Sequence, residues 1–222
     1  IVAMQAELVE KTESLGDALD RIRQLYEAIE TDLDEARRVQ TSFLDATYRR
    51  FTTADVSLWL KASGHVGGDM VGFFEVTPHI FGFYSMDVSG HGVAAGMLVA
   101  RVAGMLRNGA PDLNIAVSSF GEGRFAAVPP DMVAAQLNAQ ILNEVHGERY
   151  LTMCLGFLDQ RSGLVRMVQA GHPTPLLLRA EGDIERLGNG GMPLGLIEDA
   201  RFSSFEFRLC RGDRLLLYSD GL

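Results

Sequence analysis

Cysteine is nearly absent from this sequence. Its two examples, Cys154 and Cys210, stand in apolar runs with no CxxC spacing. That excludes a disulfide framework and a zinc knuckle, and points to buried free thiols in a reducing, cytoplasmic setting. Long hydrophobic runs are missing too. No stretch of about 18 apolar residues occurs, so no segment reads as a membrane span, and no secretory leader pattern opens the chain. Basic charge is in deficit, with 20 Lys and Arg against 29 Asp and Glu, a net charge of −9. Nucleic-acid binding needs a clustered positive surface, so that class is excluded as well. Several catalytic signatures are absent: no GxSxG elbow, no GxxxxGK[ST] phosphate loop, no HExxH and no GxGxxG opening a helix. The first residue is not Met, and Ser219-Asp220-Gly221-Leu222 follows directly on an apolar strand-like run. Both ends therefore read as cut from a longer protein.

What is present suits one α/β domain with an appendage. The 222 residues are 47% hydrophobic, enough for a substantial core. Residues 4–45 carry a helical pattern with no proline and with Gly16 as its one helix-breaking residue. Leu8, Leu15, Ile22 and Ile29 form one seven-residue row; Leu19, Tyr26 and Leu33 form the second. These are the spacings of a coiled-coil seam, so residues 1–45 are expected to be a helical arm that pairs two copies into a homodimer. A second apolar set, Val39, Phe43 and Leu44, breaks the register near Gln40. There the arm should stop pairing and begin packing on its own domain, residues 46–222. The plainer alternative is an amphipathic helix folded against the domain along its whole length.

Beyond Thr52 the pattern changes to short β-prone runs at 56–63, 71–76, 80–87, 151–159, 164–170, 175–179, 202–209 and 214–219. Two helical patterns, 93–107 and 131–145, interrupt them, the second opened by Pro129-Pro130-Asp131. Three strands, two helices and then five strands predict an α+β layered fold with antiparallel hairpins. Residues 110–130 read as a long loop, a candidate mobile flap.

Three acids stand at strand ends beside glycine: Asp69 in Gly67-Gly68-Asp69, Asp87 in Met86-Asp87-Val88-Ser89-Gly90-His91-Gly92, and Asp220 in Tyr218-Ser219-Asp220-Gly221. Each alone is an ordinary turn acid. Together they describe an all-oxygen rim suited to hard divalent cations such as Mg²⁺ or Mn²⁺, and the Val88 carbonyl could add a neutral oxygen. His91 in its glycine-rich turn reads as structural. Ala170-Gly171-His172-Pro173 and Gly190-Gly191-Met192-Pro193-Leu194-Gly195 read as rigid turns, with His172 as a general acid the alternative.

These motifs, taken in order, resemble the metal-dependent protein phosphatases of the PPM type (protein phosphatase 2C-like), in their bacterial sporulation-stage-II and RsbU-like branch. The resemblance runs from about Ala36 to Leu222 and includes the lead-in helix Arg38-Val39-Gln40-Thr41-Ser42-Phe43-Leu44. It implies an αββα sandwich of two antiparallel sheets flanked by helices. It implies hydrolysis of phosphoserine or phosphothreonine on a protein, the usual substrate being an anti-sigma-factor antagonist of the STAS type in partner-switching control. It implies two Mn²⁺ or Mg²⁺ ions bridged by Asp87, with Val88 touching one through its carbonyl and Asp69 and Asp220 each holding one. An upstream sensor or receiver domain would act through the helical arm. Two features depart from the family pattern. The late Asp-Asp motif with a further ligand lies beyond the residues given, and an acid often found three positions after the Gly-Gly-Asp acid is Gly72 here. A catalytically inactive binding module on the same fold is the alternative function, and a purely structural dimerisation protein the third.

Overall fold

The computed structural model describes residues 2–44, 46–61, 66–109, 111–121, 123–145 and 149–221. It opens on helix α1 (Val2–Thr41), unbroken through Gly16. At 1.5 Å per residue it is about 60 Å long. Every residue from 10 to 32 is exposed, and Leu15, Leu19, Ile22, Tyr26 and Ile29 are each 50–67% open to solvent. Among the described residues nothing covers that stripe, so the alternative of a helix folded on its own domain finds no support over this stretch. The side chain of Leu8 lies outside those described. Docking begins only in the last turns. Phe43 and Leu44 pack against the core as expected, but Val39 is exposed and Gln40 is buried instead.

The body of the protein is two antiparallel sheets. The larger has five strands in the order β11-β8-β7-β4-β3: β3 (Asp69–Thr77), β4 (Ile80–Val88), β7 (Leu151–Asp159), β8 (Leu164–Ala170) and β11 (Ser204–Arg208). The smaller has the order β10-β9-β12, from β9 (Leu176–Leu178), β10 (Ile184–Arg186) and β12 (Arg214–Leu216). Alternation along the central strands sorts side chains between two cores. Tyr84, Met86 and Val88 join the core roofed by α2 (Val93–Met105) and α3 (Pro130–Val145). Phe81 and Phe83 face the other way, into a second cluster with Leu215 and Leu217 from the smaller sheet. The expected α+β sandwich of two antiparallel sheets is therefore what forms, with α2 and α3 packed on the larger sheet.

Local differences have local causes. The expected strand 56–63 is cut to β2 (Asp55–Ser57), paired with an unforeseen β1 (Tyr48–Arg50); its residues 62 and 63 lie outside those described. The expected flap is folded where described. It holds a 3-10 turn at Pro111–Leu113 and a hairpin of β5 (Val117–Ser119) and β6 (Phe125–Ala127). Buried Asn114 accounts for this, donating to the Arg107 carbonyl and accepting from the Ala116 amide. Ala110 and Glu122 of that stretch are outside the described residues.

Candidate metal centre

The antiparallel register puts Asp69 directly across from Asp87, and Asp87 directly across from Thr152. The three form one row over β3, β4 and β7. By the alternation above, this row faces the second sheet, at one end of the sandwich. Asp220 comes from that second sheet, four residues past β12. Two of the expected side-chain donors are thus set side by side by one hairpin, β3–β4, and the third, Asp220, follows β12 and lies close enough for its charge to raise both.

The local backbone explains how a cation would be received. Val88 donates its amide to the Gly68 carbonyl at 3.0 Å, tying the two glycine-flanked turns together. A Cβ added to Gly68 would lie 2.7 Å from the Val88 carbonyl oxygen, 3.0 Å from Asp87 Oδ1 and 3.2 Å from the Gly90 carbonyl oxygen. Three oxygens therefore surround a point that stays open only because residue 68 is glycine. Beside it, Asp69 Oδ1 is buried with no hydrogen-bond partner, which is costly for a carboxylate unless something positive satisfies it. Among the described residues no three His, Cys, Asp or Glu side chains close on a single point. The donor set is instead two opposed carboxylates with backbone carbonyls, and Asp220 further off. That all-oxygen set fits a hard divalent cation that retains several waters.

Charge tells the same story. Desolvation holds the Asp87 carboxyl up at about 6, with the Asp69 and Asp220 charges adding to the rise. Asp69 is raised chiefly by desolvation and further by Asp220, against the lowering effect of a hydrogen bond with Ser219. Like charges directly across a strand pair repel, so the rim as built invites a cation.

An acid at position 72, often found at that place in the family, would require Tyr84 to shift. A Cβ there would come within 2.5–2.8 Å of the Tyr84 ring, and alternation turns residue 72 to the helix side, away from Asp69. His172 is buried, between Ser85 (Oγ to Nε2, 2.8 Å) and Thr152 (Oγ1 to Nδ1, 3.0 Å). Burial pushes it down to about 4, an effect that the Asp220 charge opposes. A neutral, enclosed imidazole has no route to exchange a proton with substrate, so the general-acid alternative is not supported. Its ring braces β4 and β7 beneath the row of acids. The Gly190–Gly195 turn is scaffold as expected: Gly190 N–H bonds Gln169 and Gly195 N–H bonds Asn138. His91 is exposed in its turn.

Two residues near the rim escaped sequence reading. Gln40, on the last turn of α1, makes paired bonds with Gly67: its Nε2 donates to the carbonyl at 2.7 Å and its Oε1 accepts from the amide at 3.2 Å. Its sequence trace was only the register break. Arg149 donates from Nη1 to the Ser89 carbonyl at 3.1 Å, and nothing in its local sequence marks it.

Known proteins resemble this chain over most of its length. The profile of the family described as Stage II sporulation protein E (SpoIIE) matches residues 78–222. The phosphoserine phosphatase RsbP of Bacillus subtilis is 23% identical over 191 residues, covering 86% of this chain and 45% of RsbP. The chain spans between 32% and 56% of the length of three curated relatives it matches. Among solved structures, the SiaA-PP2C domain of Pseudomonas aeruginosa superposes with a TM-score of 0.67 at 15% identity, covering 89% of this chain and 74% of that one. The RsbU and RsbW domains of Rv1364c from Mycobacterium tuberculosis give 0.56 at 26% identity, over 72% and 40%.

Proposed function

Because the chain belongs to the Stage II sporulation protein E (SpoIIE) family, we propose that it is a metal-dependent protein serine/threonine phosphatase. The observation that carries this reading is the rim itself: opposed Asp69 and Asp87, the carbonyls gathered around Gly68, and Asp220 near enough for its charge to raise both acids. Asp69, Asp87, Asp220 and the Val88 carbonyl would hold two Mn²⁺ or Mg²⁺ ions. Bound, such ions supply a water acidified to near neutrality and neutralise phosphoryl charge. The chain's part is placement. Asp87 is fixed by β4 between two paired strands, and Thr152 donates to its carbonyl at 3.4 Å. Ser219 steers Asp69. Gly90 and Gly92, both at positive φ, let the loop after Asp87 turn sharply away from the strand. No side-chain nucleophile is called for.

The substrate we propose is a phosphorylated anti-sigma-factor antagonist of the STAS type, in a partner-switching pathway. The exposed stripe of α1 would pair two copies, and an upstream sensory domain would act through it. Gln40 supports that route, because it joins the last turn of α1 to the glycine pair before Asp69. The test is hydrolysis of p-nitrophenyl phosphate and of a phosphoserine peptide by the purified protein, with and without MnCl₂, beside Asp87→Asn. Mn²⁺-dependent turnover lost in Asp87→Asn is expected. Equal rates in the two proteins would overturn the reading.

A further inference from the structure

We propose that Arg149 binds the phosphoryl group of the substrate, a proposal that rests on the phosphatase reading above. Cations bound at the rim would offset part of a phosphate dianion's charge, and a positive side chain at the rim's edge would bind the phosphoryl oxygens that the cations leave free. Arg149 stands there. Its Nη1 donates to the Ser89 carbonyl at 3.1 Å, and a Cβ at Gly90 would lie 2.8 Å from the same nitrogen. The Gly90 carbonyl is one of the three oxygens around Gly68. One glycine's width thus separates the guanidinium from the oxygen cradle. That glycine has φ +89, and a Cβ on it would push the guanidinium from its place.

The arginine is held at its root as well as its tip. Tyr150, the next residue, donates its amide to Ser89 Oγ at 3.0 Å and accepts from the Ser89 amide at 2.9 Å. The backbone carrying Arg149 is therefore fixed to the loop that carries Asp87. Other arginines of this chain, Arg49, Arg50, Arg166 and Arg179, are engaged by carboxylates. The described bond of Arg149 goes to a carbonyl, has no acid partner among the described residues, and uses one of five N–H groups. The planar fork that remains matches phosphate oxygens two at a time, which an ammonium does not. The ligand class is a phosphomonoester or its product, inorganic phosphate.

The competing role is a staple for the Ser89–Gly90 turn, and the two roles separate experimentally. In the full chain, Arg149→Ala and Arg149→Lys are compared with wild type for equilibrium binding of inorganic phosphate in MnCl₂. The midpoint of Mn²⁺-induced thermal stabilisation and KM and kcat on p-nitrophenyl phosphate are measured alongside. Phosphate affinity and KM should weaken roughly tenfold or more in Arg149→Ala, the scale of lost charge-assisted hydrogen bonds. Arg149→Lys should fall between, and the Mn²⁺ midpoint should stay within about twofold, since no ligand oxygen is removed. Unchanged phosphate affinity, or a Mn²⁺ midpoint that shifts as far as KM, overturns the proposal. A wild type without Mn²⁺-dependent turnover sinks the phosphatase reading instead, and phosphate binding still decides for or against Arg149.

Discussion

Asp87 faces Asp69 across a strand pair, and without a cation both suffer for it. The sign of the resulting pH effect is fixed by the shift. The folded-state value of about 6 lies above the ordinary 3.8. Asp87 therefore favours the fold only in its protonated form. That contribution is complete below the unfolded value and is lost as pH rises through about 6. In EDTA, Asp87→Asn should then melt higher than wild type at pH 7.5, with the gap closing by pH 4. After discounting for water at a half-buried carboxylate, the gain is on the order of 1 kcal/mol, or about 2–4 °C. Adding MnCl₂ should reverse the order, raising wild type and leaving Asp87→Asn behind; differential scanning fluorimetry reads both. His172 works in the opposite direction. Its value of about 4 lies below the ordinary 6.5, so the stability it lends is present above 6.5 and is lost as pH falls towards 4. The acids themselves were legible in the sequence because each closes a strand beside a glycine. What surrounds them was not. Gly68 reads as turn chemistry, and only the folded chain shows three oxygens where its Cβ would be. Thr152 and Ser85 are small polar residues in largely apolar strands, and their bracing of His172 depends on a register that local patterning does not set.

At the level of elements, the join between α1 and the domain is narrow. Gln40 is 6% exposed and spends both ends of its amide on Gly67. On the other side, a Cβ at Gly96 of α2 would strike Val66, so the residues before Asp69 are gripped between two helices. Gln40→Ala leaves a buried amide and a buried carbonyl unpaired. It should cost about 1–3 kcal/mol by urea unfolding, whereas Gln24→Ala, on the open part of α1, should stay within about 0.5 kcal/mol. Equal losses in the two would remove Gln40 as the anchor. The long strands of the larger sheet were readable because they are near-continuous apolar runs bounded by turn residues. β1, β10 and the two strands of the β5–β6 hairpin, each of three residues, were not. They are too short to carry a period and exist only because a neighbour offers an edge. The misplaced anchor, Val39 for Gln40, has the same origin: hydrophobic pattern cannot report a polar side chain that is buried because it is fully paired.

For the whole molecule, the exposed stripe on α1 makes a prediction about assembly. If Leu15, Leu19, Ile22, Tyr26 and Ile29 are a seam, the full chain should sediment as a dimer. Deletion of residues 1–35, or Ile22→Asp, should return it to a monomer while the domain stays folded. An unchanged monomer in all three would remove pairing as the arm's role. The shape of this arm has a mechanical side. It is a rod about 60 Å long whose fulcrum is Gln40, a few ångströms from Gly67. Pushing its far end sideways by about 6 Å turns the fulcrum through roughly a tenth of a radian. An amide about 5 Å away then moves by about 0.5 Å, near the tolerance within which a constellation of ligands still works. The long helix is thus geared down: coarse motion at its tip becomes fine motion at the glycines beside Asp69.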